Sequence, residues 1–418
     1  MTAGAATDGA VTGRAGRRRR RLLATAALVA AGLVVSAGCT GTSDATGPAT
    51  KEATLGPEPE VTDMTAGAPL APTNGTTDDA TDNPPDDDDD DDDDGDDDDG
   101  DLASLDAPSA IPDWMSAPTP TTAPCPAPTV RVGDAAELQA ALDGAGPGTV
   151  IGLAAGVYTG NFVATASGSP ERPARLCGPA DAVIDGGNQE KGYALHLDGA
   201  QFWVLQGFTV RNAQKGVMAD GTTGSVLSGL TVYGIGDEAI HLRGGSTDTL
   251  VEGNTISDTG RRKPKFGEGV YIGTAHSNWC DVSDCEPDLS DHNRVIGNLV
   301  YATTSEAIDV KEGTTGGLVQ GNQFDGSGLV EADSWVDVKG NDWAITGNVG
   351  RATVLDGFQT HDVSDGWGTG NVFAENTGSL GDDPDGFLVA LRPANENVVQ
   401  CSNRLLGGVG GLSNESCG

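Results

Sequence analysis

A six-residue pattern, apolar-x-Gly-x-x-apolar, returns along the C-terminal two-thirds of the chain and narrows the folds open to it. It stands at Leu205 to Val210, Leu227 to Val232, Val251 to Ile256, Val295 to Val300 and Val319 to Phe324. Between its copies lies a second pattern, a short segment with apolar residues two apart. Its copies are Leu195/Leu197, Val217/Ala219, Ile240/Leu242, Val270/Ile272, Ile308/Val310, Val336/Val338, Phe358/Thr360 and Phe387/Val389. Alternation with period two makes strands that bury one face. Undisturbed, the two patterns together span about 22 residues, the length of one turn of a β-solenoid. Leucine-rich repeats share that length, but their Leu-rich consensus is absent. The reading is all-β: a right-handed parallel β-helix (solenoid) of about ten coils over residues 125–418, about 50 Å long at ~4.8 Å per coil.

Two details support the solenoid. Asn254, Asn298 and Asn322 follow the pattern's Gly, Asn348 follows Gly347, and Phe373 to Asn376 is a copy that has lost the Gly. Asn at one position of successive coils predicts amides stacked in a ladder. Near the start of the domain, Asp134 with Glu137 three residues later precedes the amphipathic run Leu138 to Leu142. That is a helix-start signature, and a short N-terminal helix there would cap the open end of the coil stack.

The N-terminal region speaks to location. Arg17 to Arg21, an apolar run from Leu22 to Val35 and the small residues Ser36-Ala37-Gly38 precede Cys39. Residues 1–39 therefore read as a secretion signal, shorter in its apolar part than a bilayer span. Cys39 after Ala-Gly resembles the lipidation site of bacterial lipoproteins, which implies a protein held by a lipid anchor on the outer face of a bacterial cell membrane. Residues 40–124 are rich in Asp, Thr, Pro, Ala and Gly, and include the Asp86 to Asp94 and Asp96 to Asp99 runs. Such a segment reads as a disordered, self-repelling spacer of roughly 85 residues. More than half of the formal net charge of −38 lies in it. Nucleic-acid binding through a basic face is not supported. Setting Cys39 aside, the other Cys suit three bridges in an oxidising compartment, and proximity suggests Cys125–Cys177, Cys280–Cys285 and Cys401–Cys417.

Aligning the strands of the second pattern aligns the residues they present. The position between the apolar pair reads His196, Met218, His241, Tyr271, Asp309, Asp337, Gln359 and Leu388. The position after the pair reads Asp198, Asp220, Arg243, Gly273, Lys311, Lys339, His361 and Ala390. Two residues before the pair, Glu238, Glu268 and Glu306 fall in one column, which is taken to sit at a bent corner. The middle coils thus gather acid, base and aromatic groups at coil spacing. Insertions flank the Glu268 strand: Arg261-Arg262-Lys263-Pro264-Lys265 on one side, Thr274 to Asn293 on the other. Solenoid insertions often build the binding face, and a basic cluster suits an anionic ligand. Trp279, beside the proposed Cys280–Cys285 bridge, is either a sugar-stacking platform or loop packing.

With this pattern the chain resembles the pectate-lyase-like β-helix proteins. Within them, Glu306-Ala-Ile-Asp-Val-Lys311, followed one coil later by Val338-Lys339-Gly340-Asn341, is similar to the alginate lyase and chondroitinase B group of polysaccharide lyases. The resemblance implies β-elimination on an anionic polysaccharide, with carboxylates holding a calcium ion (Ca2+) against the substrate uronate. Carried over, Glu306 is a calcium ligand and Lys311 the base. The second acidic ligand falls on Thr304, and the family's Arg position falls on Val338 beside Lys339. Glu268, on the preceding coil, is the candidate to replace the missing carboxylate.

The expected catalytic set is Lys311, Lys339, His361 and Arg243. The expected substrate-binding set is His241, Tyr271, Asp309, Asp337, Trp279, Arg261, Arg262 and Lys263, with Glu268 and Glu306 for the metal. Asp309 and Asp337 on adjacent coils leave a glycoside hydrolase open, and the same surface would serve a non-catalytic glycan-binding protein. A monomer is expected.

Overall fold

A computed structural model describes residues 107–381 and 385–418. The signal segment, Cys39 and the spacer up to residue 106 lie outside the described residues.

Three parallel sheets build the domain, one of eleven strands and two of ten. Each coil contributes one strand to each sheet, so every strand pairs with its equivalents one coil earlier and later. The sheet that matters for function contains the second sequence pattern. It runs from Phe162–Ala164 through Ile240–Arg243, Val270–Ile272, Ile308–Val310, Ser334–Val338 and Asp356–His361 to Gly411–Ser413. Its register pairs Val217 with Ile240, Ile240 with Val270, Val270 with Ile308, Ile308 with Val336 and Val336 with Phe358. All of these side chains are fully buried, so the core is a set of stacked rows, one apolar residue per coil.

The repeat's glycine occupies the turn between the other two sheets. Gly253, Gly297, Gly321 and Gly347 have φ of 59°, 63°, 63° and 66°, where a side chain is strained. In the copy that lost its glycine, Glu375 takes φ 57°. Inside the same turn the asparagines stack as expected. Asn254 Nδ2 donates to Asn298 at 2.9 Å, Asn298 to Asn322 and Asn322 to Asn348 at 3.0 Å, and the ladder continues through Asn376 to Asn403. The first end is covered by the helix Ala135–Asp143, with Asp134 capping the Glu137 N–H and Leu138 and Leu142 buried. All three proposed disulfides are present.

Two placements differ from the sequence reading. Residues 107–124, composed like the spacer, lie along the solenoid as an arm. Thr121 and Thr122 donate to the Glu252 carboxylate, the Trp114 indole donates to Asp325 at 2.7 Å, and Ser109 binds Asp258. The carboxylates and one apolar contact, Met115 with Leu299 and Tyr301, supply what the arm's own composition lacks. The second correction concerns register in the strand Phe387–Arg392. Phe358 pairs with Val389, Gln359 with Ala390 and His361 with Arg392, two residues away from the alignment on Phe387/Val389. Leu388 then falls in the row of buried Trp335, at the bend one residue before inward-facing Val389, and is itself buried. Arg392, not Ala390, extends the row of His361. A shift of two preserves the alternation of faces, so the pattern alone did not reveal it.

Candidate active site

The site lies on the middle coils of the sheet just described. His241 pairs in register with Tyr271, Tyr271 with Asp309 and Asp309 with Asp337. The next position along each strand holds Lys311, Lys339 and His361, and the two rows interlock. Lys311 Nζ lies 2.7 Å from Asp309 Oδ2, and Lys339 Nζ lies 2.8 Å from Asp309 Oδ1 and 2.8 Å from Asp337 Oδ2. His361 Nδ1 closes the chain at 2.9 Å from Asp337. Each aspartate thus holds cations from two coils.

Lys311 Nζ also stands 4.8 Å from the centre of the Tyr271 ring. On the other side of that ring's strand, His241 meets it edge-on at 4.4 Å, and the His241 Nε2 lies 3.0 Å from the Gly273 carbonyl. The corner column is where the sequence reading put it: Glu238, Glu268 and Glu306 sit in the bends just before their strands. Glu268, Glu306 and Asp309 bring carboxylate oxygens within 4.8 Å of one another. Glu268 is buried, and its Oε2 has no hydrogen-bond partner.

The electrostatics follow from that crowding. Burial, then the neighbouring Glu238, Glu306 and Asp309 charges, push the Glu268 carboxyl well above the usual range. Burial and Asp309 push Glu306 up as well. Burial and the Asp309 and Glu268 charges push the Tyr271 hydroxyl well up. For Lys311 burial favours the neutral amine, but Asp309, Glu268 and Glu306 outweigh it and hold the ammonium above its ordinary value. The same contest leaves Lys339 raised by Asp309 and Asp337. Burial opposes ionisation of Asp337, yet Lys339 and His361 hold it low.

Above these groups is a groove of about 410 Å³. Glu238, Glu268, Tyr271 and Lys311 form its floor. The two insertions form its walls, Lys265 and Phe266 from one, Ser277, Asn278 and Asp281 from the other.

Other expected residues lie elsewhere. Arg243 is in the row of Lys311 but is engaged by Asp220 at 2.7 Å, which also holds His196 at 2.7 Å. Trp279 is buried, and its indole donates to the Thr274 carbonyl at 2.9 Å, so it packs its own loop rather than facing the groove. Arg262 turns back onto buried Asp237 at 2.6 Å, and Arg261 lies 3.7 Å from Asp258. Lys263 Nζ stands 5.7 Å from the centre of the Phe266 ring. Among the groove residues, Phe266, Asn278 and Asp281 escaped the sequence reading, because loop residues carry no periodicity that reveals their direction.

The donor set fits a hard divalent cation: three carboxylates converge, and one buried oxygen has no other partner. Asp309 would share its charge between that ion and the two lysines.

No family model matches the sequence, and no curated sequence matches it. Solved structures do. An alginate lyase from Paenibacillus sp. str. FPU-7 is 32% identical with a TM-score of 0.64, over 68% of this chain and 97% of that one. Pectate lyase Pel9A is 15% identical with a TM-score of 0.50, over 66% and 72%, and shares the fold. With that identity over nearly all of the relative and two-thirds of this chain, the chain belongs to the family of the Paenibacillus alginate lyase, within the pectate-lyase-like parallel β-helix proteins.

Proposed function

We propose that this protein is an exported polysaccharide lyase that cleaves a uronic-acid glycan by β-elimination in the groove over Tyr271 and Lys311. The observation that carries the reading is the juxtaposition of those two groups, 4.8 Å from ammonium to ring centre, beside the Glu268, Glu306 and Asp309 carboxylates.

β-Elimination removes the proton next to the uronate carboxylate, breaks the bond to the glycosidic oxygen and protonates that oxygen. Two proton-transfer groups are required, and Lys311 and Tyr271 are the pair on the groove floor that can exchange a proton near neutrality once their pKa values fall. A calcium ion held by Glu268, Glu306 and Asp309 would neutralise the uronate and cancel the carboxylate field that keeps both groups protonated. In this reading the Lys311 amine takes the proton, and the Tyr271 hydroxyl donates its own to the departing oxygen. Lys339 holds Asp309 from the far side, and His361 holds Asp337, so neither aspartate swings into the groove.

Alginate, the substrate named for the Paenibacillus relative, is the first glycan to test. Export is supported by three disulfides, which persist in oxidising compartments. A lipid anchor at Cys39 would hold the monomer on the outer face of the cell membrane. The deciding experiment follows ultraviolet absorbance with the purified protein, a panel of uronic-acid glycans, and calcium or a chelator. A calcium-dependent rise, from the new double bond, is expected. Reducing ends without that rise would mean a hydrolase working through Asp309 and Asp337, and neither signal would mean a binding protein.

A further inference from the structure

The cations on the sheet beside and beneath the groove already have carboxylates. Lys311 and Lys339 share Asp309, Lys339 and His361 share Asp337, and Arg392 pairs with Asp356. In the basic insertion, Arg262 is held by Asp237. An anionic polymer gains little from a cation that is already neutralised.

Lys265 is different. It is exposed, lines the groove wall, and has no carboxylate within ion-pair distance among the described residues. Its Nζ instead rests 4.9 Å from the centre of the Phe266 ring. A ring face attracts an ammonium through its quadrupole and leaves the full positive charge in place. Phe266 therefore aims Lys265 without neutralising it, which an aspartate in the same place would not do.

The turn that carries both residues is fixed to the coil behind it. Thr304 Oγ1 donates to the Pro264 carbonyl at 2.7 Å, and Thr259 Oγ1 donates to the Gly267 carbonyl at 2.6 Å. A side chain at Gly260 or Gly267 would run into Thr304 Oγ1, so the insertion closes tightly on that threonine.

We propose that Lys265, positioned by Phe266, is a specificity-determining residue that takes the carboxylate of the sugar next to the one being cleaved. This rests on the lyase reading above. The cluster at Glu268, Glu306 and Asp309 serves the uronate at the scissile bond, and Lys265 on the wall serves its neighbour.

The test is calorimetric binding of an alginate tetrasaccharide, with calcium present, in a Lys311→Ala background that removes turnover. Lys265→Gln should weaken binding about tenfold at low salt, and the difference should shrink at high salt as the charge is screened. Phe266→Leu should weaken it by a smaller factor. In the otherwise wild-type protein, Lys265→Gln should raise KM and leave kcat unchanged. An unchanged affinity, or a loss that persists undiminished at high salt, would overturn the assignment. No binding even with Lys265 present would overturn it too. If wild-type protein forms no unsaturated product from any uronate glycan, the lyase reading falls, while the salt-dependent binding difference still decides whether Lys265 is an anion site.

Discussion

Lys339 Nζ lies 2.8 Å from Asp309 Oδ1, across the step from one coil to the next. This contact joins the strand carrying Lys311 to its successor and sets where the Lys311 ammonium must stand, because Asp309 has only its other oxygen left for it.

Lys339→Ala should therefore act on both stability and rate. It leaves Asp309 and Asp337 facing each other on adjacent strands with one fewer cation, and removing one partner of a buried pair costs about 3 kcal/mol. Thermal melting should show the loss, and Lys339→Arg should recover part of it.

Tyr271→Phe should separate chemistry from folding, and Lys311→Ala should show chemistry with a stability cost added. Each deletes a proton-transfer group at the groove floor while keeping the row of apolar residues beneath. Both should lower kcat by roughly 10²- to 10⁴-fold, Lys311→Ala the more severely. Tyr271→Phe should leave the melting temperature nearly unchanged, whereas Lys311→Ala, which takes a cation from buried Asp309, should lower it. A variant with full activity would remove that residue from the mechanism.

Cation binding has a readout apart from cleavage. Calcium should raise the melting temperature of the wild-type protein by mass action on the folded state. In Glu268→Gln the shift should be lost or much reduced, since the buried unpartnered oxygen is one of the donors. A wild-type melting temperature indifferent to calcium would exclude the cation.

Two titrations should tilt the stability curve in opposite directions. Burial opposes ionisation of Asp220, but His196 and Arg243 outweigh it and hold the carboxyl at about 2. A depressed folded pKa gives stability that is present above the unfolded value of 3.8 and is lost as pH falls toward 2. Asp220→Asn should flatten that acid limb. His361 is raised by its bond to Asp337, against burial. Its contribution is complete below the unfolded value of 6.5 and is lost as pH rises through the folded one. His361→Gln should remove that neutral-side slope. Denaturant melts across pH check both.

The asparagine ladder offers a test of the fold itself. Asn322 accepts from the Asn298 backbone at 2.9 Å and donates to the Val295 carbonyl at 2.9 Å. Asn322→Ala leaves those buried groups without partners, at about 1–3 kcal/mol each. Equilibrium unfolding should show a loss of at least about 2 kcal/mol.

Much of this architecture was legible in the chain because it is written as repetition. Leu195, Val217, Ile240 and Val270 recur at one phase of a coil, and a row of buried side chains is the only arrangement that satisfies them all. The ladder from Asn254 to Asn376 follows from the same regular spacing, and the three disulfides from the proximity of their cysteines along the chain. Once the rows align, Asp309 must lie beside Tyr271 and Asp337, so the candidate site could be placed on the correct coils.

What repetition does not encode was left to the tertiary structure. Arg261, Arg262, Lys263 and Lys265 form one basic run in the sequence, yet the fold turns the first two onto Asp258 and Asp237 and the last into the groove. Trp279 is buried by its loop for the same kind of reason, and the arm of residues 107–124 is held by Glu252, Asp258 and Asp325, far away in sequence. The two-residue slip at Val389 escaped because alternation repeats every second residue. The sequence by itself determined the coil, its rows and the coils that carry the charges. Only the tertiary structure decided which charges neutralise one another and which face the groove, because those outcomes depend on contacts between residues that share no periodicity.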